Sequence, residues 1–480
     1  MSRTETKRGP IISSLVIGAF VAILNETLLT IAFNDLMKEF SLEPSSVQWL
    51  STAYMLVIGI LVPVTALLCQ WFTTRQMFLS AMILFLAGTL ICGFAPTFSI
   101  LLVGRIIQAL GTGLLLPVLM NTILAIYPPE KRGGAMGLIG LVIMFAPALG
   151  PTLSGIIIDT FTWRWLFFLV VPLVVFSIIF ASVYLKNVSE LTKPKVDFLS
   201  IILSTLGFGG VVYGFSTAGE GEGWGNPVVI YSLIVGLVGL LFFILRQLRL
   251  KEPMLDIRAF RYRMFSVAAA MLTIMMMTLF STLILLPMYL QGALLLTSVA
   301  AGLVLLPGGL INGLLSPVAG VLFDKFGPKT LVTPGLVLVI LSLGLFSQLS
   351  ASTSVAYVVT LHVMMLIGIS MVMMPAQTTG LNQLPKQLYP HGTAIMNTLQ
   401  QVSGAIGTAL FVSIMSSGKE SYLKGVNEPN AALAQVNGLI SGLQQAFFIA
   451  ALVGAIALVL SFFLKRTQAP ENSSTGVPIK

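Results

Sequence analysis

Long apolar runs, separated by short segments that contain charges, Gly or Pro, constrain the fold of this chain more than any other feature. Fourteen runs fall at about 11–33, 47–70, 77–95, 98–126, 134–157, 164–184, 198–217, 228–247, 264–290, 297–321, 330–349, 353–380, 391–416 and 440–464. A helix needs roughly 20 residues to cross a bilayer. The runs are too long and continuous for barrel strands, so helices are the only spanning structure that satisfies their backbone groups in lipid. The sequence predicts an all-α polytopic membrane protein with fourteen transmembrane helices.

Charged residues are too scarce for a water-soluble protein of this size. They make up 9% of the 480 residues, whereas hydrophobic residues make up 56%. A soluble domain carries about 25% charged residues, so lipid must be the main solvent. The chain has no room for a sizeable extramembrane domain, and its composition excludes nucleic-acid binding. No paired carboxylates, metal cluster or nucleophile triad occur at workable spacing, so we expect no enzyme, no catalytic residue and no metal site.

The distribution of Lys and Arg between alternate loops predicts the orientation of the chain. The side that holds both termini carries 21 of these residues, and the other side carries four, namely Lys38, Arg164, Lys419 and Lys424. By the positive-inside rule the termini are cytoplasmic. The net charge of +9 therefore marks the inner face, which anionic lipids also favour.

An internal repeat predicts the domain organisation. PVTALLCQWFTTR at 63–75 aligns with PVAGVLFDKFGPK at 317–329, and Gln70 stands where the later copy has Asp324. Transporters that arose by duplication place the substrate path between their halves. We predict an N-terminal six-helix half at 1–190, two inserted transmembrane helices with a cytoplasmic loop at 191–260, and a C-terminal six-helix half at 261–480.

Five segments carry a family resemblance that covers nearly the whole chain. They are GRIIQALGTGLLLP at 104–117, APALGPTLSG at 146–155, WRWLFFLVVP at 163–172, FDKFGPK at 323–329 and AIMNTLQQVSGAIGTAL at 394–410. These segments resemble the major facilitator superfamily and, within it, the EmrB/QacA-type 14-helix drug:proton antiporters. Among the branches of that group, the sequence is most similar to the lincomycin-resistance efflux proteins.

The resemblance implies the major facilitator fold and proton-coupled multidrug efflux. Amphipathic compounds, lincosamides among them, would be exported by alternating access, with the proton motive force and no cofactor as the energy source. It also implies a monomer in the bacterial cell membrane that interacts with small substrates, protons and the bilayer, and not with nucleic acid. The alternative is a proton-coupled or facilitative uptake carrier for a small organic nutrient, because the fold does not settle the direction of transport.

Arg105 is the only basic residue deep within a predicted helix. A buried charge in lipid is costly, so this arginine should have a partner and a function. Gln108 follows it at i+3 and lies on the same helix face. The resemblance implies that Arg105 faces the central cavity and takes part in proton transfer, whereas a structural arginine bonded to backbone carbonyls is the alternative.

Glu26 is the only acid well inside a predicted helix. The family usually has an aspartate where this chain has Asn25, and a shift of one residue turns the side chain by about 100° around the helix. A carboxyl group in a low-dielectric cavity holds its proton more tightly than it does in water, as a proton carrier must. Glu26 is therefore the leading candidate for proton coupling, and a permanently protonated acid is the alternative.

Helix depth places Glu26 and Arg105 near each other. Glu26 lies roughly 22 Å from the start of its run and Arg105 roughly 10 Å from the outer start of its own, at 1.5 Å per residue. Both positions fall in the outer half of the membrane, so we predict that the two side chains interact in at least one conformation. His362 lies at a comparable depth and could titrate near neutrality; a hydrogen-bonded packing role is the alternative.

Two motifs complete the expected machinery. Small residues and prolines in the fifth run favour close helix packing and a kink, and the resemblance matches them to the antiporter motif: Ala146, Pro147, Gly150, Pro151, Ser154 and Gly155. Asp324, Gly327 and Lys329 lie where the family's cytoplasmic loop latches the halves, although turn formation and membrane anchoring also explain these residues. Candidates for the substrate cavity are Asn25, Gln108, Asn121, Met276, His362, Met371, Gln377 and Asn397.

Overall fold

A computed structural model describes residues 8–42, 44–188, 191–192, 194–218, 223–425 and 431–466, and its regular structure there is entirely helical. The helices of the first part are α1 (Arg8–Leu28), α2 (Phe33–Phe40), α3 (Pro44–Trp71), α4 (Thr74–Gly93), α5 (Phe98–Ile126), α6 (Arg132–Thr160), α7 (Trp165–Phe168) and α8 (Val170–Tyr184). The others are α9 (Phe198–Thr217), α10 (Pro227–Arg249), α11 (Arg263–Gly292), α12 (Ser298–Phe326), α13 (Lys329–Phe346), α14 (Val355–Asn382), α15 (Tyr389–Gly425) and α16 (Ala431–Ser461).

The helices confirm the prediction of a polytopic membrane protein. Within the described residues, 13 helical stretches are long and apolar enough to cross a membrane, and α7 and α8 together form one of them, Trp165–Tyr184. The helix α6 is a further element of 29 residues. Together they correspond to the fourteen predicted runs.

The first predicted run was too long at its C-terminal end. The helix α1 stops at Leu28, a 3-10 turn spans Leu29–Ala32, and the short amphipathic helix α2 follows. Charged side chains explain this change, because α2 contains Glu39, which pairs with Arg164 at 2.7 Å and accepts a hydrogen bond from Trp163 Nε1 at 2.6 Å. These contacts hold α2 against the loop that follows α6.

Short connections make successive long helices antiparallel, so the bundle has two distinct ends. We call the end at which α1 begins and α16 finishes the terminal face, and the opposite end the far face. The helices α5, α12 and α14 finish at the terminal face, and α6 and α15 begin there. Residues at these five helix ends therefore lie close together.

Helix contacts place the interface between the two groups of helices. Neighbours in sequence pack as pairs, for example α4 on α5, α13 on α14 and α15 on α16. The group α1–α8 meets the group α11–α16 mainly through α6 on α12, with further contacts of α3 and α5 on α15, and α9 packs on both α3 and α15. The domain boundaries at 190 and 260 stay a prediction.

Asp197 and Arg246 join the two inserted helices by a forked ion pair. Arg246 Nε and Nη2 donate to the two carboxylate oxygens at 2.7 and 2.9 Å, and Ser200 Oγ donates to Asp197 at 2.6 Å. The Arg246 guanidinium is the main reason that the pKa of Asp197 falls to about 2. Because the pKa is depressed, this pair stabilises the fold above the unfolded pKa of about 4 and loses that effect as the pH falls towards 2.

We expect Asp197→Asn to lower the melting temperature of the detergent-solubilised protein by a few degrees at pH 7, and to have little effect near pH 2. Thermal unfolding followed by size-exclusion fluorescence would measure the change. Glu420→Gln is the matched control, because Glu420 forms an exposed i,i+4 pair with Lys424 and such pairs contribute little. An equal shift for both variants would contradict the prediction.

Candidate functional site

Arg105 is the centre of a buried polar cluster near the far face. Its side chain is 0% exposed. Nη1 donates to Asn25 Oδ1 at 3.2 Å and to Gln108 Oε1 at 3.1 Å, and Nε donates to the Leu50 carbonyl at 3.5 Å. The guanidinium also lies 4.0 Å from the centre of the Tyr54 ring, a favourable cation–π distance. Amide, carbonyl and ring groups thus stabilise this charge.

The cluster continues into α4 and α5 through side-chain hydrogen bonds. Gln108 Nε2 donates to Thr89 Oγ1 at 2.7 Å, and the Tyr54 hydroxyl bonds the Thr112 hydroxyl at 2.6 Å. Close backbone approach makes the first bond possible, because a Cβ atom on Gly88 would lie 2.5 Å from the Gln108 nitrogen. The small residues of α4 and α5 therefore hold Gln108, and through it Arg105, in a fixed orientation.

Glu26 lies beside this cluster without a direct contact to Arg105. The carboxyl group is half-buried and lies within electrostatic range of Arg105 and Tyr54. In the part of the chain that the structure describes, no ion pair joins Glu26 to Arg105. Asn25 instead makes the hydrogen bond, which agrees with the one-residue shift of the carboxyl group along the helix. A direct contact of Glu26 with Arg105 in another conformation stays a prediction.

The predicted antiporter motif lies where α6 packs on α1, next to Glu26. A Cβ atom on Gly150 would collide with the Thr27 side chain, so the glycine allows the two helices to touch. Ala146 and Ser154 are fully buried, and the Ser154 hydroxyl has no described hydrogen-bond partner. The side-chain surroundings of Pro151 and Gly155, two other members of the motif, lie outside the described residues.

Asn121, Gln377 and Asn397 come together where α5 meets α14 and α15. Gln377 Nε2 and Asn397 Nδ2 both donate to Met120 Sδ at 3.4 Å. Thr393 Oγ1 donates to Asn121 Oδ1 at 2.9 Å. These three predicted cavity residues therefore form one cluster at the interface between the two helix groups.

The other predicted cavity residues in α11 and α14 lie apart from this cluster. Met371 contacts α13, since a Cβ atom on Gly335 would lie 2.8 Å from the Met371 Cβ. His362 is buried against Gly308 of α12, and its Nδ1 has no described partner. Met276 is buried within the main apolar core. The structure thus places these three residues within the second helix group.

The terminal face is closed by contacts between the two helix groups. Asp324 at the end of α12 accepts hydrogen bonds from the backbone N–H groups of Gly133 and Gly134 at 2.8 and 2.9 Å. A carboxylate in this position is favoured by the helix dipole of α6. Gly327, with φ of +84°, forms the turn after α12, whereas Lys329 lies near Phe462 in its own helix group.

Gln70 makes the equivalent contact for the first copy of the repeat. It lies at the end of α3, and its Nε2 is 3.3 Å from His391 Nε2 in the first turn of α15. Gln70 and Asp324, which align in the repeat, therefore both reach the start of a helix in the opposite group. In the first copy of the repeat, the contact joins the Gln70 amide to the His391 imidazole, whereas in the second copy it joins the Asp324 carboxylate to backbone N–H groups.

Arg132 contributes a second closing contact that the sequence did not reveal. It is 2% exposed, and its Nη2 donates to the Leu124 carbonyl at 2.7 Å and to the Tyr389 hydroxyl at 3.0 Å. Nη1 donates to Asn382 Oδ1 at 2.9 Å. From the sequence, Arg132 was only one of the charges of a cytoplasmic loop. Its contacts could not be predicted, because Asn382 and Tyr389 lie about 250 residues away in the chain.

Backbone contact between α6 and α12 extends the closure towards the middle of the bundle. A Cβ atom on Gly137 would lie 2.6 Å from the Pro317 Cα and the Ser316 carbonyl oxygen, and one on Gly140 would lie 2.8 Å from Ser316 Cβ. Cβ atoms on Gly133 and Gly320 would collide with each other's backbone. Glycine is therefore required at these positions for the observed approach.

Comparison with known proteins places this architecture in a family. The Major Facilitator Superfamily model matches residues 15–408. The chain is 55% identical over 460 residues to the lincomycin resistance protein LmrB of Bacillus subtilis (strain 168), covering 96% of each chain. It is 27% identical over 400 residues to the multidrug export protein EmrB of Haemophilus influenzae, covering 83% of this chain and 78% of that protein.

A solved structure agrees at the level of the fold. The crystal structure of the human organic anion transporter MFSD10 (TETRAN) superposes with a TM-score of 0.62 at 12% identity, covering 95% of this chain and 99% of the other. The similarity spans nearly the whole of both chains, and the sequence match covers the helices that build the polar cluster and most of the closing contacts. The chain belongs to the major facilitator superfamily and is a multi-pass membrane transporter of the EmrB-like group.

Proposed function

We propose that the protein is a proton-coupled efflux antiporter in the bacterial cell membrane, with both termini cytoplasmic. It exports amphipathic compounds, including lincosamides, by alternating access. The resistance and export proteins among its relatives support this substrate class, and the excess of Lys and Arg near the terminal face supports the orientation. The terminal face is then the cytoplasmic face.

The observation that carries the proposal is the relation of Glu26 to Arg105. The arginine is fully buried and is held by Asn25 and Gln108, so it does not require the Glu26 carboxylate as a hydrogen-bond partner. Glu26 can therefore gain and lose a proton while Arg105 keeps its position. Protonation removes the attraction between the two groups, and the free energy of the bundle changes with the protonation state of one carboxyl group.

The contacts that close the cytoplasmic face support one order of these events. With α6 packed on α12, we infer that protons reach Glu26 from the far face, which is then the outer face. Proton binding from outside and substrate release to the outside occur in this conformation. Opening at the cytoplasmic face breaks the Asp324 and Arg132 contacts, so that Glu26 releases its proton inwards when the next substrate binds.

The direction of flux tests this function against nutrient uptake. Inverted vesicles with an acidic interior should accumulate lincomycin or ethidium, and accumulation should collapse when a protonophore is added. Right-side-out vesicles with an acidic exterior should not accumulate either compound above vesicles without the protein. Accumulation in right-side-out vesicles only would identify an uptake carrier instead.

A further inference from the structure

A cluster of amide side chains lies above the closed cytoplasmic face, between the two helix groups. It consists of Asn121, Gln377, Asn397 and Gln400, and we call it the amide cluster. Gln377 is 0% exposed, Asn397 4% and Gln400 8%. Asn397 and Gln400 lie three residues apart and share a face of α15.

The hydrogen bonding of the amide cluster is incomplete. Gln377 Oε1 and Gln400 Nε2 are buried and have no partner among the described residues, and the buried Asn121 Nδ2 faces only the thiol of Cys69. Gln377 Nε2 and Asn397 Nδ2 both donate to the sulfur of Met120, which is a weak acceptor. A buried polar group without a good partner destabilises the state that contains it. Apolar side chains of similar size would therefore stabilise this closed interface better.

The position of the amide cluster explains why polar groups are retained there. Asn397 lies eight residues after α15 begins at Tyr389, or about 12 Å at 1.5 Å per residue. The Arg132, Asn382 and Tyr389 contacts lie between the cluster and the cytoplasm. Asn121 and Met120 belong to α5, whereas the other amides belong to α14 and α15. Separation of the two groups at the cytoplasmic face would break the cross-group contacts and expose these amides to a cytoplasmic cavity.

The chemistry of the amide cluster favours ligands that form hydrogen bonds over ligands that carry a charge. Its unpartnered atoms include one donor, Gln400 Nε2, and one acceptor, Gln377 Oε1, and the Asn121 amide faces only the thiol of Cys69, a weak acceptor. The cluster itself contains no carboxylate, so it offers an organic cation no counter-ion. A site that hydrogen-bonds a hydroxyl or amide strongly disfavours a ligand that lacks these groups, because the site's polar atoms then stay unpaired.

We propose that the amide cluster is the cytoplasmic loading site for substrates, and that it binds uncharged hydroxyl and amide groups of an amphipathic molecule. This inference rests on the proposed efflux function. In the closed state, the same amides turn to Met120 and Thr393 in place of substrate. Loading therefore selects molecules by their hydrogen-bonding groups.

Transport kinetics of two probes test the proposal. Lincomycin carries an amide and several hydroxyl groups, whereas tetraphenylphosphonium is a cation without hydrogen-bonding groups. In proteoliposomes with an imposed pH gradient, Gln377→Met and Asn397→Leu should each raise the KM for lincomycin by about tenfold or more and leave kcat nearly unchanged. Transport of tetraphenylphosphonium, where the wild-type protein shows it, should not change.

A control on the same helix separates binding from packing. Thr398→Val removes a buried hydroxyl that bonds the Ala394 carbonyl within α15, and it should change neither probe's kinetics. If Asn397→Leu is not recovered as a monodisperse protein, Asn397→Ala replaces it with the same expected rise in KM.

Each other outcome has a definite meaning. An equal loss of kcat for both probes in the amide variants would show a role in closure and overturn the proposal, as would unchanged lincomycin kinetics. Wild-type transport of tetraphenylphosphonium without any transport of lincomycin would overturn the substrate class and leave efflux standing. Transport of neither probe would contradict the proposed function itself.

Discussion

We expect Glu26→Gln to abolish proton-driven export and to reduce substrate accumulation to the level of liposomes without protein. Glutamine keeps the size and polarity of the side chain but cannot bind and release a proton in the required range. Arg105 should keep its orientation, because its hydrogen bonds go to Asn25, Gln108 and the Leu50 carbonyl. The defect should therefore lie in coupling and not in folding.

Two assays on the same proteoliposomes distinguish these causes. Export driven by an imposed pH gradient should be lost, whereas exchange of labelled for unlabelled substrate, which needs no proton movement, should continue. Glu420→Gln removes an exposed acid at the far end of α15 and is the matched control for a change of charge. If Glu26→Gln still exports substrate with the wild-type dependence on the pH gradient, Glu26 does not couple transport to protons.

The second large effect is expected from Gly137→Val, which should prevent closure of the terminal face. The added side chain would overlap the Pro317 and Ser316 backbone, and backbone atoms of a packed helix cannot move aside as a flexible side chain can. The α6–α12 contact must open to accept it. Transport should fall to background although the protein still folds, because separation of α6 from α12 would relieve the overlap.

Spin labels on the two helix groups at the terminal face would measure this opening. Two exposed lysines suit this measurement. Lys131 lies directly before α6, and Lys325 lies in the last turn of α12. Cysteine replacements there, with Cys69 and Cys92 changed to Ser, should give a longer interspin distance in the Gly137→Val protein than in its parent. Gly134→Ala is the control, since its Cβ would meet only side-chain atoms, the nearest at 3.3 Å. An unchanged distance and normal transport would contradict the assigned closure.

The sequence predicted the spanning helices because hydrophobicity and length alone decide them in lipid. It also located Arg105 and Gln108, since a charge within an apolar run is costly and i+3 spacing puts both on one helix face. The shift from Asn25 to Glu26 put a direct transfer of the family aspartate's role in doubt, and in the structure Asn25, not Glu26, makes the hydrogen bond to Arg105. Local pattern was sufficient for each of these features.

The closing contacts could not be predicted in the same way. Tyr54 and Tyr389 carry no signal in an apolar or turn sequence, and the partners of Arg132 are specified only when α5, α6, α14 and α15 pack. The end of the first helix was also missed. The residues of the 3-10 turn Leu29–Ala32 are as apolar as those of α1, so the sequence pattern does not mark the end of the helix. The helix ends there because the contacts of α2 with the loop after α6 fix where α2 lies.

The glycine contact between α6 and α12 limits how these two helices can change in evolution. At most packed positions, a larger side chain on one helix can be compensated by a smaller one on its neighbour. Gly133 and Gly320 already face each other without side chains, so no compensating reduction exists. Neither glycine can therefore be replaced by a larger residue without separating α6 from α12. Both positions must stay glycine for as long as the protein closes at the terminal face.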